Sequence, residues 1–528
     1  MIQRFYATNR VSLLVCFVML MMPVVAGANE ADQDGTFVLD HNFSQLSLNR
    51  HAVFLEDETA ALSIGEAASL EYTTRFKRVE AGVPNFGFTS SAYWVRLQLK
   101  SVLAEKTKFV LQIPYAAIDL IEVYIPQEDN SYITKSSGDS IDFSLREIEY
   151  PTPAFYVEVP QITPLPIYLR IKTTSSMQLP LVLWTTEAFM NRTSKEQLFW
   201  GLLFGALLIA ACYNLFLFFS IRDRVFLYYV LFVASLILAQ LTLYGYSLQY
   251  FWPSYPQISN SALLVFLNLI IIFATFFSRH FLKLKMFAPR LNQGLIVLCF
   301  YMFVDLNLTF FAPYSTVLKV YIVGLTIGAP LFILSGIVCW REGFPPARIY
   351  LFAWLFLVLG GIAYALKTWG YLPATVFSTY ALPLGSLFEV VLFSIALGVR
   401  VNLQQKETYV ARKAMMDMQT ELFRANQIAL GNAQESDLLK QEFLATMSHE
   451  LRTPMNGILG CCQLLDERNM SDEERITMNS LADSARQMMG HVNRILNFSQ
   501  LNEGKLSIDS SVFDLTDVVA TLRSNFSL

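Results

Sequence analysis

Cysteine, glycine-rich loops and blocks of positive charge are scarce in this sequence of 528 residues. No cysteine lies between Asn29 and Thr193, which excludes a disulfide framework there, and the adjacent Cys461 and Cys462 lack metal-ligand spacing. Because the cysteines lack metal-ligand spacing we expect no metal site, and because lysine and arginine form no long block we expect no nucleic-acid partner. The polar C-terminal part has no glycine-rich phosphate loop, so we expect no nucleotide site in it.

Apolar residues are abundant, at 54% of the chain against 16% charged residues, which indicates a membrane protein. Arg4 and Arg10 lead into an apolar run that ends at Val25, and the small residues Ala26-Gly27-Ala28 follow. This order predicts a signal peptide over residues 1–28, with an uncleaved anchor as the alternative. Both interpretations export the segment that follows.

Short β-rich runs separated by proline and glycine fill the next segment. The runs are Ala92–Leu99, Phe109–Ile113, Leu120–Ile125, Ile167–Ile171 and Leu179–Trp184. Several alternate apolar and polar residues, which predicts an antiparallel β-sandwich or jelly roll over residues 29–190, placed in the periplasm as a sensor domain. Its aromatic residues are either a stacking platform for a sugar-like ligand or core residues, and the core interpretation is favoured for Tyr93, Trp94, Phe86 and Phe88.

Seven apolar stretches of about 20 residues follow and predict a seven-transmembrane region over residues 197–399. They are Gln197–Phe219, Val225–Tyr246, Ser261–Phe281, Leu291–Phe311, Thr316–Trp340, Ile349–Trp369 and Ser378–Val399. Lysine and arginine occur in the loops after the first, third and fifth stretches and are absent from the loops after the second, fourth and sixth. This predicts a periplasmic N-terminal domain and a cytoplasmic tail in the bacterial inner membrane. Glu389, in mid-span, should face the bundle with a partner or a proton, as a stabilising contact rather than a proton pathway.

Beyond Val399 the chain becomes polar, with core positions spaced alternately by four and three from Ala411 to Phe443. This spacing predicts a coiled-coil linker over residues 400–440, and the small or polar core residues make its seam weak. A weak seam suits a signalling helix, and a passive spacer is the alternative. His449 lies about 160° from the stripe of Met447 and Leu451, so we expect it to point outward.

His449 and its neighbours carry the chemistry of a phosphoacceptor. Imidazole is a nucleophile near neutral pH, and the adjacent Glu450 carboxylate can take the proton from its other nitrogen. Pro454 removes a helical hydrogen bond and would loosen the helix around the histidine. From this chemistry alone, a surface histidine on an ordinary helix remains the alternative.

Three segments resemble known bacterial signalling domains. Residues 443–460, FLATMSHELRTPMNGILG, resemble the H-box of the histidine kinase dimerisation and phosphoacceptor domain, HisKA. The run Tyr213–Arg224 with Leu227–Tyr229 resembles the start of the seven-transmembrane receptors with diverse intracellular signalling modules, 7TMR-DISM. The run Phe88–Leu99 is similar to the extracellular β-sandwich of that family, for which a carbohydrate ligand is implied.

The HisKA resemblance implies specific roles for three residues and a set of partners. His449 would be the phosphoacceptor, Glu450 the general base, and Thr453 would position water for dephosphorylating a response regulator. ATP and Mg²⁺ would be required for the reaction. Residues 507–528 resemble the start of an incomplete ATP-binding domain, and the nucleotide motifs of the family are absent.

A second helix should complete the dimerisation domain over residues 441–506. Ser471 to Glu474 form a capping start, and an apolar face follows with Ile476, Leu481, Ala485, Met488, Val492, Ile495 and Phe498. Two helices cannot enclose a core, so we expect a homodimeric four-helix bundle.

Together, these features and resemblances predict a transmembrane sensor histidine kinase that senses a periplasmic ligand and passes a phosphoryl group from His449 to a response regulator. The alternative is a non-catalytic receptor that pairs with another histidine kinase and modulates it. In both cases the seven apolar helices would contact membrane lipid. A carbohydrate ligand is what the resemblance to the extracellular β-sandwich implies.

Overall fold

The computed structural model describes residues 37–39, 43–49, 52–79, 82–101, 107–127, 129, 131–159, 165–369, 371–372, 375–464, 470–502, 504 and 512–526. The expected signal peptide, residues 1–28, lies outside the described residues. The chain divides into two compact units at Gln404. The first unit holds a β-domain, residues 37–185, and a bundle of apolar helices.

The β-domain is a sandwich of two main sheets, which confirms the predicted fold class. Its strands are β1 Phe37–Leu39, β2 Gln45–Ser47, β3 Val53–Asp57, β4 Lys77–Arg78, β5 Asn85–Phe88, β6 Ala92–Ser101, β7 Thr107–Gln112, β8 Leu120–Pro126, β9 Tyr132–Ser137, β10 Ala154–Val159, β11 Leu165–Lys172, β12 Ser176–Gln178 and β13 Val182–Thr185. One sheet has the order β4-β3-β6-β11-β8-β9, with β1 beside β6. The other has the order β10-β7-β13-β2, and β12 pairs with β5.

Alternation along the strands builds the sandwich core. Val95, Leu97 and Leu99 of β6 are buried between the sheets together with Phe109 and Leu111 of β7. Burial of such apolar surface is the main stabilising term of the domain. Trp94 points to the opposite face of β6, where two short helices, α1 Ile64–Ala67 and α2 Leu70–Thr73, cover it.

Two details of the sandwich differ from the sequence prediction. β1 runs parallel to β6, where an antiparallel sheet was predicted. It pairs with Leu99 to Ser101, the end of the ten-residue β6 that β3 leaves uncovered. The run Leu179–Trp184 is a strand only from Val182, since Pro180 cannot donate a ladder hydrogen bond.

The aromatic residues proposed as core are mostly buried. Tyr93 and Trp94 lie inside the β-domain, and Phe86 stacks on Tyr93 with 4.0 Å between ring centroids. Phe88 is exposed. The core interpretation is therefore confirmed for Tyr93 and Trp94, and Phe88 is not a core residue.

Among the described residues, seven helices are long and apolar enough to cross a membrane, which indicates a multipass membrane protein. They are α3 Thr186–Ile221, α4 Arg224–Leu243, α6 Gln257–Phe281, α8 Pro289–Leu308, α9 Tyr314–Arg341, α10 Pro346–Thr368 and α11 Val376–Leu464. The short helices α5 Tyr246–Tyr250 and α7 Leu284–Phe287 lie between them. Each predicted span falls on one of the seven long helices, although α3 begins earlier, because Thr185 of β13 caps it directly.

A row of polar contacts joins α11 to α3, to α4 and to the loop between them. Its members are Tyr380 to Glu196, Ser386 to Gln240, Ser394 to Asn214 and Tyr229, and Arg400 to Asp223. On the side of α10, Gly360 and Gly385 let the two backbones approach closely, because a Cβ on Gly360 would meet Ala381 O at 2.6 Å. Glu389 is fully buried as predicted, and neither of its carboxyl oxygens has a hydrogen-bond partner in the described part of the chain.

Several loops of the β-domain contact the ends of the helices. Asn85 hydrogen-bonds the carbonyl of Thr368, and the Phe143 amide donates to Pro253 O at 2.9 Å. Gly245, at φ +85°, packs on the Pro151 carbonyl, where a Cβ would lie 2.5 Å from the oxygen. The β-domain and the bundle therefore share a close-packed seam.

The second unit contains the continuation of α11 to Leu464, α12 Asp472–Asn502 and α13 Leu515–Phe526. Residues 405–440 of α11 are exposed along their whole length, including the predicted coiled-coil seam. A coiled coil needs a second helix packed against this seam, and a single chain does not provide one.

Candidate functional site

His449 lies on an exposed face of α11, in the phase that the sequence predicts. The residue before it, Ser448, is 5% exposed and faces α12, so the buried and exposed faces separate within one residue. An exposed imidazole on a regular helix can be reached by a second protein or a nucleotide.

Glu450 and Thr453, the two residues expected to assist His449, are also exposed. Thr453 follows His449 by four residues, which places both on one side of the helix, and its hydroxyl donates to the His449 carbonyl at 3.1 Å. Pro454 cannot donate to the Glu450 carbonyl, so this region of α11 has one backbone hydrogen bond fewer. The roles assigned to the three residues stay predictions.

Helix α12 starts as predicted. Ser471 and Glu474 form a capping box, with the Ser471 amide donating to Glu474 Oε2 at 2.9 Å and the Glu474 amide donating to Ser471 Oγ at 3.3 Å. Arg452 of α11 donates to Asn493 of α12 at 3.3 Å. The sequence analysis missed this contact, because polar residues that face one another across a hairpin carry no spacing signal.

The hairpin, residues 441–464 of α11 together with α12, has two apolar faces. Ser448, Cys462, Ala482 and Ala485 are buried between its two helices. A second set of apolar residues faces outward and comprises Phe443, Leu481, Met488, Ile495 and Phe498. Of the predicted apolar face of α12, Ala485 packs within the chain and most others remain uncovered, which fits a four-helix bundle completed by a second chain.

The hairpin shows neither a metal-ligand cluster nor a glycine-rich loop among its described residues. No three His, Cys, Asp or Glu side chains come together there in a way that could hold Mg²⁺. Gly457, Gly460 and Gly490 lie singly inside helices, whereas a phosphate cradle needs glycines clustered in a loop.

Two buried ionisable side chains, Arg146 and Asp139, lie in the β-domain beside the seam with the bundle. Arg146 is 6% exposed and donates to the carbonyls of Gly138, Tyr150 and Pro151 at 2.7–3.1 Å. Burial lowers the pKa of Arg146 to about 10. Burial and the neighbouring Asp119 raise the pKa of Asp139 to about 7, and Arg146 partly opposes this shift.

Three family models match consecutive parts of the chain. The 7TMR-DISM extracellular 2 model matches residues 49–185, and the model for the 7TM diverse intracellular signalling region matches residues 196–400. The His Kinase A (phospho-acceptor) model matches residues 439–504, which include His449. The three matches follow the β-domain, the seven helices and the hairpin described above.

Curated relatives match over about a hundred residues each. The Autoinducer 2 sensor kinase/phosphatase LuxQ of Vibrio cholerae is 41% identical over 99 residues, 19% of this chain and 12% of the relative. Sensor histidine kinase GacS of Pseudomonas protegens is 41% identical over 92 residues, 17% and 10% of the two chains. Signal transduction histidine-protein kinase BarA of Escherichia coli is 40% identical over 103 residues, 19% and 11% of the two chains. The match thus covers about a tenth of the length of each relative. The chain carries the extracellular and seven-helix regions of the 7TMR-DISM family together with a HisKA phosphoacceptor domain, and it resembles sensor histidine kinases.

Proposed function

We propose that the chain is the sensor, membrane and phosphoacceptor part of a transmembrane histidine kinase, and that His449 carries the phosphoryl group. The observation that supports this most directly is the exposed position of His449 within the segment that the HisKA model matches. The β-domain would receive a periplasmic ligand, and the hairpin would present His449 in the cytoplasm.

In the proposed reaction a ring nitrogen of His449 attacks the γ-phosphorus of ATP. An N–P bond forms, the bond to the β-phosphate oxygen breaks, and ADP leaves. Glu450, next along the exposed face, accepts the proton of the other ring nitrogen as positive charge develops. The phosphoryl group then passes to an aspartate of a response regulator, which restores the neutral imidazole.

The proposed phosphatase step uses Thr453. Its hydroxyl lies on the same side of α11 as His449, and rotation away from the His449 carbonyl would free it to orient a water molecule. The water would attack the aspartyl phosphate of the regulator and release inorganic phosphate. ATP and Mg²⁺ would reach His449 from a nucleotide-binding domain that the described residues do not form.

The orientation in the inner membrane follows from charge. Arg222 caps the end of α3, Arg224 begins α4 and Arg341 ends α9, so these charges flank the connections after the first and fifth spans, and positive connections remain cytoplasmic. The β-domain would then be periplasmic and the hairpin cytoplasmic.

A homodimer is the proposed assembly, because the outward apolar face of the hairpin needs a partner of the same helical pattern. Pairing with another histidine kinase would use the same face. In that alternative the chain would modulate its partner without passing on phosphate.

Labelling in membrane vesicles tests the proposal. The whole chain would be co-expressed with a histidine kinase that supplies a nucleotide-binding domain, and the vesicles given ATP labelled in the γ-phosphate. We expect acid-labile label on the chain, its loss in His449→Gln and its retention in His491→Gln, since His491 is also exposed on the hairpin. Equal labelling of the two variants would contradict the assignment, and an unlabelled chain that changes its partner's phosphorylation would favour the modulator.

A further inference from the structure

Glu196 lies at the junction of three elements and is 8% exposed. It belongs to α3, the helix that continues directly from strand β13 of the β-domain. Two tyrosines and an arginine surround its carboxylate. The proposed phosphotransfer chemistry uses none of these four residues.

The β-domain reaches Glu196 through Tyr150. The Tyr150 hydroxyl donates to Glu196 Oε2, and the ring packs on Phe189 with 5.2 Å between centroids. Burial and the Glu196 charge raise the pKa of Tyr150 well above its usual range, so the hydroxyl keeps its hydrogen and remains a donor. The segment around Tyr150 also holds the Pro151 carbonyl against which Gly245 packs.

The other carboxyl oxygen faces α3 and α11. Arg192 lies one turn before Glu196 and pairs with Oε1 at 2.7 Å, while its guanidinium lies over the Trp184 ring at 4.8 Å. The Tyr380 hydroxyl of α11 donates to the same Oε1 at 3.3 Å. One buried carboxylate therefore accepts hydrogen bonds from the β-domain, the first span and the last span.

We propose that Glu196 is a positioning residue that couples the state of the β-domain to the last membrane helix, the helix that runs on to His449. The inference rests on the proposed sensor function. A rearrangement that withdraws Tyr150 leaves the buried Glu196 carboxylate with one hydrogen-bond donor fewer. The carboxylate then binds Arg192 and Tyr380 differently, and the start of α11 changes its stability.

The coupling between the β-domain and α11 passes through the Glu196 carboxylate, to which Tyr150 and Tyr380 both donate. Tyr150 has one hydroxyl hydrogen, which it gives to Glu196, so any effect of that hydroxyl on α11 passes through the carboxylate. Coupling between two contacts on one buried group is reciprocal. A change at Tyr380 must therefore alter the Tyr150 segment to the same extent.

Hydrogen–deuterium exchange of the whole chain in lipid nanodiscs tests the coupling. Tyr150→Phe should speed amide exchange in residues 376–386 of α11 at least about fivefold. Tyr156→Phe is the matched control, because Tyr156 packs against the same aromatic cluster. It should leave residues 376–386 unchanged. Unchanged exchange there in Tyr150→Phe, with faster exchange in residues 143–153, would overturn the proposal.

The reverse experiment decides the question if Tyr150→Phe does not fold. Tyr380→Phe should speed exchange in residues 143–153 by a factor similar to the forward effect. A purely structural role would change only the residues next to each substitution, and that result also overturns the coupling. The measurement does not involve phosphate, so a failed labelling of His449 would leave its outcome intact.

Discussion

The Tyr229 hydroxyl on α4 donates to the Val390 carbonyl on α11 at a distance of 2.6 Å. Tyr229 is fully buried, and the same hydroxyl lies 3.0 Å from Ser394 Oγ. Because water is excluded from this part of the bundle, the bond has no solvent competitor. It fixes α11 against α4 at one depth and one rotation.

Removing this hydroxyl should weaken the bundle without changing its packing. Tyr229→Phe keeps the ring contacts and loses the hydrogen bond, which should lower the free energy of unfolding by about 1–2 kcal/mol. Thermal unfolding of the whole chain in detergent measures it. Tyr213→Phe is the control, since Tyr213 is 57% exposed on α3. An equal effect of the two substitutions would count against a specific tie to α11.

Gly245 and Gly343 distinguish the backbone strain of replacing a glycine from the steric clash of the added Cβ. Both have φ near +85°, but a Cβ on Gly245 would meet the Pro151 carbonyl, whereas Gly343 has open space around it. Gly343→Ala should cost about 1 kcal/mol from backbone strain alone. Gly245→Ala should cost clearly more and should loosen the seam with the β-domain, which limited proteolysis of that domain would report. Similar melting temperatures for the two variants would refute the close contact.

The stability of the β-domain should depend on the ionisation of Asp139. Its pKa is raised to about 7 in the folded chain, so the neutral carboxyl stabilises the fold at low pH. That contribution is complete below about pH 4 and is lost as the pH rises to about 7. Asp139→Asn should therefore match the unchanged chain near pH 4 and exceed it in melting temperature near pH 8.

The exposed Asp129 provides the control for this pH dependence, because its carboxylate remains in water. Asp129→Asn should not raise the melting temperature near pH 8. If the melting temperatures of Asp139→Asn and the unchanged chain differ by the same amount at every pH, Asp139 does not titrate in that pH range.

Dimerisation should depend on burial of the outward apolar face of the hairpin against a second chain. Met488 is 51% exposed at its centre, so Met488→Glu would place a charge inside the proposed dimer core and should convert dimers to monomers. Arg486→Glu introduces the same side chain on an exposed site of α12 and should leave the dimer intact. Cross-linking of the whole chain in lipid measures both. Dimers that survive Met488→Glu would place the interface elsewhere.

Much of the fold could be predicted from local patterns. The seven helices follow from apolar runs, because a segment in lipid must satisfy its own backbone hydrogen bonds. Period-two alternation located β6, and the spacing of Ser471 and Glu474 located the start of α12. The exposure of His449 followed from its angle to Met447 and Leu451.

The contacts at the seam could not be predicted in this way. Tyr150 and Glu196 are 46 residues apart, and their meeting depends on how the β-domain packs on α3. Glu389 was expected to have a partner or a proton, and its carboxyl oxygens have no hydrogen-bond partner among the described residues, because a mid-span position predicts burial but identifies no neighbour. Pro180 interrupted a run whose residues otherwise favour a strand.

The glycines between α10 and α11 have a mechanical consequence. At Gly360 and Gly385 the two helices touch backbone to backbone, and Phe393 of α11 packs on the rings of Tyr350 and Trp354 of α10. Movement of α11 along its axis would therefore break ring contacts on this side. The polar row on the other side offers its partners only at separate steps along the helix. A displaced α11 would thus regain its partners only at particular positions along its axis and not at every position between them.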